Sequence, residues 1–312
     1  SAPKTAKPPM TLPVHALRRP RLLLIGCGDI GLRVLRLLHP RWRVFALTST
    51  AARVPALRAA GAMPLLGDLD DAATLARLGA LADAVLHLAP PQAEGGSDRR
   101  TRNLLRALAR GARVQRLVYA STSGVYGDCG GARVPETRGV APASARALRR
   151  ADAEAVVRWY GRRSGASVSI LRVPGIYALD RKGGSPRERL LRGTPLLRAE
   201  DDVYTSHIHA DDLARACVAA LHRGGAQRAF NVCDDTELRM GDYFDLAADL
   251  LGCARAPRLA PGQARQQLTP LQQSFMSESR RLVNTRLRRE LRLRLRYPTV
   301  AAGLCAAPAR ED

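Results

Sequence analysis

Short apolar runs alternate with stretches of helical spacing through the first 173 residues. The runs Arg21–Ile25, Arg43–Thr48, Met63–Leu66, Ala84–Leu88, Gln115–Ala120 and Ser167–Val173 have the length of strands. Between them, Ile30–Leu38, Ala52–Ala60, Ala72–Leu78, Asp98–Ala109 and Ser144–Arg163 read as helices. Near-continuous apolar strands alternating with helices predict a parallel sheet covered on both faces. After Val173 the pattern loosens, and Pro, Gly and charged residues dominate Pro174–Pro195. A helix over Ala210–Leu221, a strand over Ala229–Val232 and a helix over Met240–Leu251 follow. Residues 174–312 therefore read as a small cap, with some elements returning to the sheet and no obvious core of its own.

The first strand runs into Gly26-Cys-Gly-Asp-Ile-Gly31, and a helix follows directly. In this context G-x-G-x-x-G is a dinucleotide-binding turn. Gly26 permits the tight turn, Gly28 lets backbone approach a pyrophosphate, and Gly31 lets helix and sheet pack closely. The helix N-terminus, at Asp29 and Ile30, faces the phosphates. The predicted architecture is thus α/β, a doubly wound, Rossmann-like parallel sheet over residues 20–173 with a small C-terminal cap. At the end of the second strand, Thr48-Ser-Thr50 and Arg53 stand where an acid would bind a ribose 2′-hydroxyl. Hydroxyls and a guanidinium fork suit a 2′-phosphate, so NADP is preferred over NAD. Asp68 and Leu69 follow the third strand near the expected adenine, and Ala89-Pro90 close the fourth near the middle of the cofactor.

Composition adjusts this picture only at its margins. Of 312 residues 46% are apolar but only 4% aromatic, so Leu, Val and Ala must fill the core. No run reaches the length of a membrane span and no secretory signal is visible, which points to a cytoplasmic protein. Residues 1–19 read as a loose basic tail. The six cysteines lie far apart without metal-ligand spacing, so no metal site is expected. The net charge of +22 raises nucleic acid as a partner. Its make-up argues against it: three lysines stand among 50 basic residues, and the arginines are dispersed. The densest stretch, Arg280–Arg296, contains Leu291-Arg-Leu-Arg-Leu-Arg-Tyr297, which reads as a solvated face over a half-buried edge. A small molecule is the expected partner, with a monomer or homodimer as the expected assembly.

Several further segments carry a family resemblance: Gly67-Asp-Leu69, Leu88-Ala-Pro-Pro91, Tyr119-Ala-Ser-Thr-Ser-Gly-Val-Tyr-Gly127, Leu171-Arg-Val-Pro-Gly-Ile-Tyr177 and His207-Ile-His-Ala-Asp-Asp-Leu213. With the glycine turn, they make the chain resemble an extended short-chain dehydrogenase/reductase of the NAD-dependent epimerase/dehydratase family, over roughly residues 20 to 300. The resemblance implies an oxidoreductase or epimerase/dehydratase, with Thr122 as the hydroxyl residue and Ser121 and Pro174 near the cofactor. It also implies a catalytic Tyr-x-x-x-Lys pair ahead of Ala153-Glu154. Here Arg146 stands at the tyrosine position and Arg150 at the lysine position. Arg150 can still carry charge to the ribose, but a guanidinium cannot act as the acid/base. The two share a helix face and suggest an anionic group nearby. Tyr126, Tyr177, Tyr204, His207, His209, Asp128 and Glu136 are the other candidates for proton transfer, with Asp211-Asp212 expected to cap a helix. Two readings follow: an atypical NAD(P)-dependent enzyme acting on a small carbonyl or hydroxyl compound, or a non-catalytic NADP-binding sensor or scaffold.

Overall fold

The computed structural model describes residues 18–305; most of the tail expected at residues 1–19 lies outside the described residues. Seven strands form one parallel sheet: β1 (Arg21–Ile25), β2 (Arg43–Thr48), β3 (Met63–Leu66), β4 (Ala84–His87), β5 (Arg116–Thr122), β6 (Ser167–Val173) and β7 (Arg228–Asn231). Their spatial order is β7-β6-β5-β4-β1-β2-β3, so chain order reverses between β1 and β4. A crevice opens at such a reversal, outside the carboxyl ends of the strands.

Alternation along each strand builds a core on both faces. Leu22 and Leu24 of β1 pack with Val34 and Leu35 of α1 (Asp29–Leu38) and Leu57 of α2 (Val54–Ala59). Leu23 and Ile25 point the other way, toward Leu104 and Leu108 of α3 (Arg99–Ala109) and Val157 and Tyr160 of α4 (Ala145–Ser164). The caps follow local chemistry: Asp98 accepts from Thr101 N–H, Ser144 accepts from Ala147 N–H, and Gly165 ends α4 in the left-handed conformation.

Several expectations need correction. Ala72–Leu78 is not an α-helix but two 3₁₀ turns, Ala72–Leu75 and Leu78–Ala80, because Thr74 binds back to Asp68 and Asp71 carbonyls. Strand β4 stops at His87, one residue early, and β5 extends to Thr122. Beyond α5 (Pro186–Leu191), α6 (Ala210–Arg223) returns to the sheet and packs on α1. The cap does own a core, which periodicity missed because its members come from scattered short elements. Tyr177, Leu190 and Leu196 meet Tyr243 and Phe244 of α7 (Met240–Leu251) and Leu304 near the end. Leu291 and Leu293 are buried while Arg292 and Arg294 are exposed, as the alternation predicts. That segment pairs with no strand; Asp212 holds it by accepting from Arg296 and Tyr297 N–H groups at 2.9 and 2.8 Å. Among the described residues no helix is long and apolar enough to cross a membrane, and every cysteine is free.

Two sealed histidines give the interior a pH dependence. Burial pulls the imidazoles of His87, which also feels Arg150, and His207 down to about 3. An unfolded histidine takes its proton near pH 6.5, so below that the unfolded chain binds more protons and stability falls with pH. Burial pushes the Asp234 carboxyl up to about 7, which opposes the trend from about pH 4 upward. Two histidines outweigh one carboxylate. Stability should therefore rise from about pH 4 toward 6.5, by at most roughly 1.4 kcal/mol per pH unit near pH 5, the value of one proton, and ever less as the unfolded histidines reach their own midpoint. Denaturant unfolding at pH 5.0 and 6.5 checks this; equal or greater stability at pH 5.0 contradicts it.

Candidate functional site

The glycine turn is shaped by contacts that only glycine tolerates. Gly26 sits at φ +86°, and a Cβ there would lie 2.5 Å from Ala89 N. Gly28 is the opposite case: a Cβ would meet nothing within 4 Å, so its backbone is open on that side. Together they line a cleft over the carboxyl ends of the strands, made of two adjoining cavities of about 350 and 630 Å³ that share Gly26, Gly28 and Leu88.

The smaller cavity holds Thr48, Arg53, Asp68, Leu69, Ala89 and Pro90. Arg53 reaches from the end of β2 to the glycine turn, where its Nη2 donates to the Cys27 carbonyl at 2.5 Å. Burial pushes the Cys27 thiol up despite Arg53, so it stays uncharged. The larger cavity holds Asp29, Ile30, Gly31, Ser121, Thr122, Arg146, Arg150 and Pro174. The residues singled out from sequence for the cofactor, together with Thr122, Arg146 and Arg150, thus border one cleft.

Local bonds decide what these groups can do. Thr122 Oγ1 accepts from Gly124 N–H at 3.2 Å, which leaves its own O–H to donate elsewhere. Arg150 donates through Nη1 to the Ala120 carbonyl at 2.9 Å and Tyr119 Oη at 3.2 Å. The buried Ser121 Oγ and Arg150 Nε find no protein partner. A polar ligand in the cleft is the natural remedy for such orphaned groups. Arg146 is exposed, and its guanidinium stands 5.9 Å over the Phe275 ring. Among the described residues Arg146, Arg149 and Arg150 form no salt bridge with a carboxylate. Asp29, by contrast, is held by Arg33 and by Arg181, the latter at 2.7 Å, which offsets a negative charge at the start of α1. The open Gly28 backbone, the orphaned Ser121 hydroxyl and the cation at Arg150 fit a dinucleotide.

The other proton-transfer candidates lie apart from this cavity. Tyr126 is sealed, donating to Asn231 Oδ1 at 2.7 Å and accepting from Arg172 at 2.9 Å. Tyr177 is buried against the Thr299 carbonyl, and His207 stacks on Tyr243 with centroids 3.9 Å apart. His209, not Asp211 or Asp212, caps α6: its Nδ1 accepts from Asp211 N–H, because the helix begins at Ala210, as expected, which puts both acids inside its first turn. Asp128 and Glu136 tie loops together, accepting from Ser279 N–H and Asn231 N–H at 2.8 Å each. Tyr204 lines a separate small cavity in the cap. Sequence reasoning missed Arg100, Arg181, Lys182, Leu213 and Phe275, which also line the cleft. Arg181-Lys182-Gly183-Gly184 was visible only as an irregular charged stretch, and nothing marked Phe275.

Comparison with known proteins agrees with this fold. The chain is 27% identical over 262 residues to Protein YeeZ of Escherichia coli K12, covering 80% of this chain and 88% of that one. A functionally unknown conserved protein from Silicibacter pomeroyi DSS superposes with a TM-score of 0.77 at 31% identity, covering 91% of this chain and 96% of that one. At 16% identity, a dTDP-glucose 4,6-dehydratase of Bacillus anthracis solved in complex with NAD shares the fold, with a TM-score of 0.74 and coverage of 92% and 94%. The model of the NAD dependent epimerase/dehydratase family matches residues 23–233, from the first strand to just past the last. The chain belongs to the NAD dependent epimerase/dehydratase family, whose dinucleotide-binding fold it carries.

Proposed function

We propose that this chain is an NADP-dependent oxidoreductase of atypical type, acting on a small anionic carbonyl or hydroxyl compound. The observation that carries this reading is Arg53, a guanidinium bridging from the end of β2 to the Cys27 carbonyl, with threonines rather than a carboxylate beside it. A guanidinium fork recognises a ribose 2′-phosphate where a carboxylate would repel it.

Gly26, Gly28 and the start of α1 would hold the pyrophosphate, and Arg150 the nicotinamide ribose. A bound nicotinamide supplies a hydride at its C4. The free O–H of Thr122 would donate to the substrate oxygen and fix the carbonyl carbon in place. The guanidinium groups of Arg146 and Arg150 have no acceptor, so they draw an anionic substrate into the cleft without serving as its acid/base. Lys182 and water are left to deliver the proton that balances the hydride; Lys182 is the only lysine among the described residues and it borders the cleft.

A turnover screen tests this: NADPH fluorescence is followed with a panel of small oxo-carboxylates. The expected result is steady oxidation with at least one member, slowed about 100-fold by Thr122→Val, the usual scale for a hydrogen bond to the reacting oxygen. The second reading, a non-catalytic NADP-binding protein, is favoured by Arg146 in place of a tyrosine. Tight NADPH binding with no oxidation across the panel selects it.

A further inference from the structure

A third cavity, about 210 Å³, lies in the cap and shares Gly175 and Phe275 with the wall of the main cleft. Met240, Phe244, Phe275 and Tyr204 give it apolar and aromatic sides. Its charged members are unequal. Glu278 and Arg280 neutralise each other at 2.6 Å, and Arg280 also donates to the Gly127 carbonyl. Arg189 of α5 has no carboxylate partner among the described residues. Its Nε is buried without a partner, and its best bond is a long 3.4 Å contact from Nη2 to the Pro195 carbonyl. The guanidinium stands 4.7 Å over the Phe244 ring, and burial together with Arg192 disfavours its charge. Thr205 Oγ1, on the same wall, is also buried and unpartnered.

Arg189 is half-buried, and a partly desolvated cation without a counter-ion is costly; an anion that fills the space relieves it. At about 210 Å³ the cavity is smaller than the roughly 300–1,000 Å³ of drug-sized sites, which limits its occupant to a small molecule. We infer that this cavity is the distal end of the substrate site and takes a monocarboxylate on a short apolar or aromatic body, with Arg189 and Thr205 as its polar contacts. This deepens the oxidoreductase reading and rests on it: the reacting carbon lies beyond Gly175, toward Thr122. It also divides the cations by task, with Arg189 reading the carboxylate and Arg146 guarding the entrance beside Phe275.

Phenylacetate and its neutral isostere phenylacetamide are the probes, titrated by ligand-observed NMR into the full chain with and without NADPH. Phenylacetate should bind at least 10-fold more tightly than phenylacetamide. Arg189→Gln should bring the two to parity, and Thr205→Val should weaken phenylacetate about threefold. Thermal melting of the same variants should be no lower than that of the parent and their NADPH affinity unchanged, which separates a lost contact from a lost fold. Equal binding of the two probes to the parent overturns the inference. So does selectivity that survives Arg189→Gln but disappears with Arg146→Gln. If selectivity is present while NADPH fails to bind, the carboxylate subsite stands and the oxidoreductase reading falls; intact NADPH binding without selectivity gives the reverse.

Discussion

Gly26→Ala is expected to destabilise the fold by about 3 kcal/mol and to abolish dinucleotide binding, whereas Gly28→Ala should abolish binding alone. At φ +86° an alanine carries an intrinsic penalty of about 1–2 kcal/mol. Its Cβ would also stand 2.5 Å from Ala89 N and 2.8 Å from Ala89 Cα, and these backbone atoms cannot rotate away. Relieving the overlap moves the end of β4 at a further cost of about 1–3 kcal/mol. That movement displaces Ala89 and Pro90 from the cleft wall. Gly28 has φ −84°, which any residue adopts, and its missing Cβ faces open space. Alanine there should leave the unfolding midpoint unchanged while its methyl occupies the approach to the pyrophosphate. Urea unfolding beside NADPH titration checks the pair. A Gly26→Ala protein as stable as the parent, or a Gly28→Ala protein that binds normally, contradicts the assigned roles.

The second large effect is expected at Arg172 and Glu154, which are each 5% exposed and meet across the interface of β6 and α4 at 2.7 Å. Arg172→Met should cost about 3–5 kcal/mol, because it leaves a buried carboxylate without its counter-ion. The damage spreads toward the site. Arg172 Nη1 donates to Tyr126 Oη, which donates to Asn231, and Asn231 in turn holds the Val134 and Val283 carbonyls. Tyr126 ends the turn that begins at Thr122, so loosening it should misplace that hydroxyl. The double variant Arg172→Met/Glu154→Leu should recover much of the loss, since removing both charges removes the uncompensated one. A double-mutant cycle measured by urea unfolding decides; a single-variant loss below about 1 kcal/mol sinks the argument.

The sheet could be read from the chain because its inner strands are buried on both faces and therefore largely apolar, from Leu22 through Val173, while edge strand β3 is exposed at Met63 and Leu66. The cofactor turn was equally plain, since Gly26, Gly28 and Gly31 are demanded by local backbone contacts. The cap was not legible in the same way. Its core assembles Tyr177, Leu196, Phe244 and Met276 from elements too short to show a period. Phe275 meets the cleft, and Arg189 the cavity beside it, through tertiary packing alone, so no spacing rule could have joined them to Thr122. His209 illustrates a smaller limit: a helix starting at Ala210 has His209 as its cap, but imidazole is an uncommon capping group and the two acids after it draw the assignment to themselves.

The central claim, a cofactor cleft selective for NADP through Arg53, is tested most directly by calorimetric titration of the parent and Arg53→Ala with NADPH and NADH. The parent should bind NADPH at least 10-fold more tightly than NADH, the equivalent of about 1.4 kcal/mol. Arg53→Ala should erase that difference and leave NADH affinity where it was. NADH binding as tight as NADPH in the parent, or a preference for NADPH that survives Arg53→Ala, would contradict the account.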